Sequence, residues 1–268
     1  MIPNVLSIAG SDPSGGAGIQ ADLKTFGALG CYGMAALTAL TAQNTRGVSG
    51  VHIPPPEFVG QQIDAIFADV AVQAVKIGML ASPEIIKIVA QRLAHHRANN
   101  IVLDPVLVAT SGDSLGGPGV VEAMRTHLFP LATLVTPNGP EAAAFLNRSE
   151  PKSIDDLQQA ARDLYATGAR AALVKGGHVA GADAADALFD GRAMHMLSAL
   201  RVETKNTHGT GCTLSSAIAA YLAKGLSLEQ AVEAAKIYLT QALRHSDELR
   251  VGSGHGPVHH FWNQAHRG

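Results

Sequence analysis

Charge is scarce in this sequence and neither sign dominates. Charged residues make up 16% of the 268 positions, and 20 Lys and Arg stand against 22 Asp and Glu, a formal net charge of -2. A nucleic-acid surface needs a basic stripe, and this balance supplies none. Cysteine is nearly missing as well. Cys31 and Cys212 are the two present, neither in a C-x-x-C pair, and the sequence gives no sign of an oxidising compartment. No stretch approaches the ~18 uninterrupted apolar residues that suggest a membrane span, and no basic segment followed by an apolar one opens the chain. The expectation is a cytoplasmic protein with neither nucleic-acid nor membrane partner. The adjacent pairs His95-His96 and His259-His260 do not predict zinc, because neighbouring side chains point apart and no Cys/His spacing supports a structural site. A linker, an internal repeat and a low-complexity tract are also missing, so residues 1–268 read as a single domain.

What is present is an apolar chain, 47% hydrophobic, punctuated by 28 Gly and 13 Pro. Short apolar runs of strand length alternate with helical spacing. Val5 to Ala9 is a strand, followed by a helix within Ser14 to Leu29. Met34 to Leu40 is a strand and Phe58 to Val70 a helix. Ala74 to Ile77, Ile101 to Leu103, Thr133 to Val135 and Ala171 to Val174 continue as strands, with helices at Pro83 to Leu93 and Ile154 to Tyr165. Asp190-Gly191 predicts a hairpin turn within Ala187 to Leu197, and two helices follow, from Gly209 through Tyr221 and from Leu228 to about Leu243. This alternation predicts an α/β protein in three layers, a central mostly parallel sheet flanked by helices. Asp104, Asn138 and Lys175 fall just past strand ends, where open α/β sheets bind ligands.

Several segments are candidates for handling phosphate. Gly209 and Gly211 introduce an apolar helix with Thr210 and Cys212 in its first turn, so backbone amides there can converge on an anion; close packing at a helix start is the plain structural alternative. Asn138 and Glu141 have the spacing of a capping box, and the same two side chains can also reach Mg²⁺. Lys175, before Gly176-Gly177, can place a charge beside phosphate oxygens, with an ordinary lysine at the sheet edge as the alternative. Lys236 lies in an apolar helix, where a snorkelling side chain is the alternative. The run from Gly10 to Gly18 is rich in glycine but carries neither G-x-G-x-x-G nor G-K-[ST]. It reads as a loop around a small substrate, with a snug strand-to-helix turn as the plain structural alternative. Together these features predict an enzyme transferring a phosphoryl group from a nucleoside triphosphate to a small molecule.

The segments Ala9 to Lys24, Thr41 to Thr45, Lys76 to Leu80, Leu103 to Val106, Thr136 to Asn138, Val174 to His178, Asn206 to Thr213 and Gly254 to Phe261, in this order, resemble the ribokinase superfamily. More closely, they resemble its hydroxymethylpyrimidine and hydroxymethylpyrimidine-phosphate kinases of thiamine biosynthesis. The resemblance implies a ribokinase-like fold, ATP as donor, Mg²⁺, a small pyrimidine as acceptor and a homodimer. It implies a pyrimidine pocket at Gly10, Asp22, Gln43, Met79 and Val106, and an anion hole at Gly209, Thr210, Gly211 and Cys212. Asn138, Lys175 and Lys236 would serve the nucleotide, and Glu141 the Mg²⁺, directly or through water. Cys212 stands where many superfamily relatives carry an Asp base. Relatives usually have a bulkier apolar residue at the position of Gly139. The alternatives that remain are a pyridoxal or pyridoxine kinase of the same superfamily and a non-enzymatic pyrimidine sensor. For Cys212 itself, a helix N-terminus would lower the thiol's pKa, while nearby phosphates would raise it.

Overall fold

A computed structural model of the chain describes residues 1–107, 117–177, 179 and 183–264. Strand β1 (Asn4–Gly10) leads through helix α1 (Gly18–Ala28) into β2 (Tyr32–Asn44), which pairs antiparallel with β3 (Gly47–His52). Then come α2 (Pro56–Phe67), β4 (Ala74–Ile77), α3 (Pro83–His95) and β5 (Ile101–Leu103). The short helix α4 (Val120–Ala123) runs on into a wider turn at Met124–Leu128 before β6 (Leu134–Val135) and α5 (Gly139–Leu146). The chain continues through α6 (Ile154–Ala166), β7 (Ala172–Lys175), the hairpin β8 (Asp183–Phe189) and β9 (Met194–Leu200), α7 (Thr210–Ala223) and α8 (Leu228–Arg244).

The strands form one nine-stranded sheet in the order β3-β2-β1-β4-β5-β6-β7-β8-β9. Pairing is parallel from β2 to β7, and an antiparallel strand or hairpin closes each edge. The layers follow from side-chain alternation along the strands. Leu6, Ile8, Val75, Ile77, Leu103, Val135 and Val174 face a core shared with α2, α3, α5 and α6. Their neighbours Val5, Ala74, Val102, Leu134 and Leu173 face the other core, shared with α1, α7 and α8. The central parallel strands are buried on both sides and therefore read in the sequence as nearly continuous apolar runs.

The second face carries an exception on which the site is built. Ser7 and Lys76 lie on β1 and β4 among apolar neighbours, and both are fully buried. They meet Asp22 from α1 and Ser216 from α7. Lys76 Nζ is 2.8 Å and 2.9 Å from the two Asp22 oxygens, and the Ser7 and Ser216 hydroxyls each donate to that carboxylate at 2.6 Å.

Several expected boundaries shift, two of them at site residues. The strand expected to end at Leu40 continues to Asn44, because β3 returns alongside it. Gln43 therefore lies within β2, opposite Val48 and next to a break in register after Ala42, rather than beyond the strand. Lys175 is the last residue of β7, so that strand ends one position later than expected. His178, in the expected Val174 to His178 segment, lies outside the described residues. No described helix is long and apolar enough to cross a membrane.

Candidate active site

The site lies at the carboxyl ends of the parallel strands, where α7 begins. Gly209 takes φ +79 as the N-cap of α7 and provides no capping side chain. The Thr210 amide donates to the Thr207 carbonyl at 3.2 Å, the Gly211 and Cys212 amides receive no capping side chain, and the helix dipole favours an anion there. A side chain at Gly209 is prohibited twice, by its left-handed backbone and because a Cβ would lie 1.8 Å from the Gly16 carbonyl oxygen. Gly211 has a different reason. A Cβ there would come within 3.3 Å of Lys175 Nζ and 3.5 Å of an Asp104 oxygen, so its absence lets the ion pair approach the helix start.

That pair is Lys175 Nζ to Asp104 Oδ1 at 2.8 Å, almost out of solvent. Asp104 is anchored further by the Thr136 hydroxyl on Oδ1 and the Ser215 hydroxyl on Oδ2, both at 3.3 Å. Burial alone would raise the Asp104 carboxyl, but Lys175 and Lys76 outweigh it and hold the group below its usual range. Asp104 is the principal site residue to which the sequence reading gave no role. Its signal was an acid followed by proline at the end of an apolar strand.

Asn138 and Glu141 form the capping box that their spacing allows. Glu141 N–H donates to Asn138 Oδ1 at 2.9 Å, and Asn138 N–H donates to Glu141 Oε2 at 2.8 Å. The Glu141 carboxyl is pushed up to about 7, chiefly by burial and then by the Asp104 charge, against the opposing pull of Lys175 and the amides of Asn138 and Leu107. A buried carboxyl raised by a neighbouring carboxylate is a hard oxygen donor whose charged form a divalent cation would stabilise. Glu141 and Asp104 thus fit Mg²⁺ carried in with phosphate. Among the described residues no group of three His, Cys, Asp or Glu side chains could hold a metal by itself. Gly139 leaves ordinary space, with the nearest atom 3.8 Å from a Cβ, so the missing bulk at this position does not disturb the helix start.

Cys212 follows Gly211 on the face of α7 that carries Ser216. Its thiol does not fall as a helix start alone would suggest. Burial pushes it up to about 11, Asp22 and Asp104 add to the rise, and Lys76 and the Gly18 amide oppose it. The desolvated, partly acidic surroundings outweigh the helix dipole.

The residues expected around a pyrimidine fall into three groups. Gly10 and Met79 are in contact, a Cβ on Gly10 lying only 2.6 Å from Met79 Cε, and the Val106 amide turns back onto the Asp104 carbonyl at 2.8 Å. Gln43 lines a cavity of about 340 Å³ together with Asn44, Thr45, Arg46, His208 and His255. Asp22, expected in the pocket, is instead fully buried with both oxygens engaged and does not line that cavity. Lys236 is not a snorkelling side chain. Its Nζ is 2.6 Å from Asp186 Oδ2, and Asp186 Oδ1 accepts the Gly176 amide at 2.9 Å. It thereby supports the turn after Lys175 from behind.

The carboxyl-end segment closes over this assembly. His255 N–H donates to the Thr45 carbonyl, and His208 N–H to the Gly256 carbonyl, both at 3.0 Å. Gly254 and Gly256 allow this, since a Cβ on either would collide with Thr45 or Asn206.

Comparison with known proteins matches residues 12–259 to the family described as phosphomethylpyrimidine kinase. The chain is 51% identical over 258 residues to the hydroxymethylpyrimidine/phosphomethylpyrimidine kinase of Salmonella typhimurium, covering 96% of this chain and 97% of that one. Among solved structures it is similar to a phosphomethylpyrimidine kinase of Clostridium difficile, with 42% identity, a TM-score of 0.80, and coverage of 90% of this chain and 99% of that one. It is also similar to an ADP complex of Bacillus subtilis pyridoxal kinase, with 37% identity, a TM-score of 0.90, and coverage of 97% and 98%.

Proposed function

The chain belongs to the phosphomethylpyrimidine kinase family, and on that premise we propose that it transfers the γ-phosphoryl group of ATP twice in thiamine biosynthesis. The first acceptor is the hydroxymethyl group of 4-amino-5-hydroxymethyl-2-methylpyrimidine, and the second is the monophosphate so formed. The observation that carries this reading is the joining of two ends. The uncapped start of α7, flanked by Lys175 and Asp104, abuts the loop from Gly10 to Gly18 through Gly16 and Gly209.

Within that frame the amides of Gly209 to Cys212 would receive charge developing on the transferred group, and Lys175 would add a fixed positive charge there. Glu141 and Asp104 would hold Mg²⁺, which would neutralise phosphate charge. Asn138 would keep the Glu141 carboxylate oriented. Gln43 offers both a donor and an acceptor to an aminopyrimidine edge, with Gly10, Met79 and Val106 packed about the ring and Asp22 fixing Lys76 beneath. Transfer to the alcohol requires a proton acceptor, a role that Cys212 would take. Transfer to the monophosphate needs little such help, because its second pKa of ~6 leaves the oxygen ionised at neutral pH. Thr210 belongs to the anion-binding turn, and Lys236 supports the nucleotide side through Asp186 and Gly176. We further propose a single domain, a homodimer and a cytoplasmic location.

A second reading has its own support, the likeness to a pyridoxal kinase. Pyridoxal also presents a ring hydroxymethyl group. Incubation with MgATP and each of the pyrimidine, its monophosphate and pyridoxal, with products identified by mass, separates the readings. Phosphorylation of both pyrimidine acceptors is expected. Transfer to pyridoxal alone would replace the first reading with the second, and no transfer to any acceptor would favour a sensor.

A further inference from the structure

The Gly-rich loop after β1 and the loop opening α7 are held together by a buried pair. Asp12 and His208 lie 196 positions apart, and His208 Nε2 is 2.8 Å from Asp12 Oδ2. Asp12 is only 2% exposed and His208 6%. Asp12 also organises its own loop. Oδ1 accepts the Ser14 amide at 2.9 Å and the Ser14 hydroxyl at 2.7 Å, while Oδ2 accepts the amides of Gly16 at 3.2 Å and Ala17 at 2.8 Å. Burial would raise the Asp12 carboxyl, but His208, Ser14 and Ala17 outweigh it and hold the group at about 2. An ionised carboxylate only accepts, so His208 Nε2 carries the hydrogen of this bond.

Two backbone features make the pair a fixed joint. Gly16 lies flat against the His208 ring, where a Cβ would come within 2.3 Å of Cδ2, and Gly209 lies flat against the Gly16 carbonyl. His208 is followed directly by the glycine that caps α7, so a displacement of its ring is passed to the anion-binding amides over one residue. On the other side, Asp12 is two residues from Gly10, which packs on Met79.

We propose that the Asp12–His208 pair is a positioning latch for phosphoryl transfer, fixing the distance between the ring end of the site and the amides at the start of α7. The proposal rests on the kinase reading above. The two acceptors differ in length by a phosphate, and a latched joint keeps the ring-to-amide distance the same for both. The adjustment between the two reactions then falls to the donor side. Lys175 is held by Asp104 and Glu141 by Asn138, so the expected effect of loosening the latch falls on the rate more than on nucleotide capture.

The test uses the full chain and compares His208→Ala, His208→Gln, Asp12→Asn and the Asp12→Asn/His208→Ala double variant. Initial rates are measured with each pyrimidine acceptor across a MgATP titration to saturation, with thermal denaturation alongside. Small misplacements at a reacting centre cost up to ~10²-fold in rate, so His208→Ala should lower kcat with both acceptors by ~10–100-fold while the KM for ATP stays near the wild-type value. The Gln amide reaches the position of Nε2 and can donate to Asp12, so His208→Gln should restore most of the rate. Members of one joint are not additive, and the double variant should be little worse than either single one. Equal losses in His208→Ala and His208→Gln, additive losses in the double variant, or unchanged kcat per folded molecule would overturn the latch. If the wild-type protein transfers phosphate to neither acceptor, the kinase reading falls. Amide exchange of the loops then decides the latch: faster exchange in both residues 12–17 and 207–211 of His208→Ala supports it, and protection unchanged in either loop refutes it.

Discussion

Lys175 and Asp104 form a 2.8 Å ion pair against Gly211, so the cation nearest the start of α7 is already paired before any phosphate arrives. A phosphate entering there competes with Asp104 for Lys175 and, unless Mg²⁺ accompanies it, adds negative charge beside both Asp104 and Glu141. Lys175→Ala should therefore do two things. Turnover should fall through loss of the fixed charge, and the fold should weaken, since removing one partner of a buried pair typically costs ~3–5 kcal/mol. The second variant Lys175→Ala/Asp104→Asn should recover stability without recovering rate. Denaturant melts and steady-state kinetics on both variants check this; equal recovery of rate would assign Lys175 a structural role only.

Glu141 gives a prediction in pH. Its carboxyl is raised from 4.5 to about 7 in the folded protein. The folded state holds the proton more tightly than the unfolded one, so this contribution is complete below about 4.5 and declines as pH rises toward about 7. Glu141→Gln keeps a side-chain oxygen for the Asn138 amide and should flatten that part of the stability–pH curve, by at most ~1.4 kcal/mol per pH unit across the window. The same variant should raise the Mg²⁺ concentration needed for half-maximal rate. An unaltered curve and an unaltered Mg²⁺ requirement would leave Glu141 as a cap alone.

Cys212 should show its chemistry in the contrast between acceptors. With a thiol near 11, transfer to the alcohol should climb with pH through the range 7–9.5, by ~10-fold per unit if the thiolate is the base. Transfer to the monophosphate should change little above its pKa of ~6. Cys212→Ser should remove the climb and depress the alcohol reaction selectively. Identical profiles for the two acceptors would confine the contribution of this residue to its backbone N–H.

Gln43→Ala should weaken pyrimidine binding by roughly 0.5–1.5 kcal/mol, the worth of a neutral hydrogen bond, with nucleotide affinity nearly unchanged. Calorimetric titration of each ligand is the measurement, and an equal loss for both would refute a ring-specific role.

Lys236→Met should loosen the turn after Lys175 without touching the ring end, because its partner Asp186 also holds the Gly176 amide. The expected result is a raised KM for ATP with the pyrimidine KM preserved. A rise in the pyrimidine KM instead would place Lys236 on the wrong side of the reaction.

What could be read in the sequence, and what could not, follows from how each signal arises. Val5 to Ala9 and Ala74 to Ile77 were legible because strands covered on both faces are apolar at nearly every position, Ser7 and Lys76 being the exceptions. β3 was not: Gly47–His52 is short and exposed and contains two glycines and a serine, so it reads as loop. The extension of β2 to Asn44 depends on that partner and was lost with it. The capping box at Asn138 and Glu141 could be seen because it is local. Lys76 could not be recognised as a buried charge, since its burial depends on Asp22 lying opposite on α1. The pairing of Asp12 with His208 exists only once strands and helices have brought distant loops together.

The segment from Gly254 to His260 has a consequence for synthesis. Domains generally begin to fold from their N-terminal side while the chain is being made. Here the bonds from His255 to Thr45 and from His208 to Gly256, and the 2.6 Å bond from the Tyr238 hydroxyl to the His260 carbonyl, require residues that leave the ribosome after everything else the site uses. The nascent sheet and its helices can form with the catalytic end still open, and only emergence of this last stretch completes it. A stalled or prematurely terminated chain would then hold much of the fold and little of the activity, which separates damage by truncation from damage by misfolding.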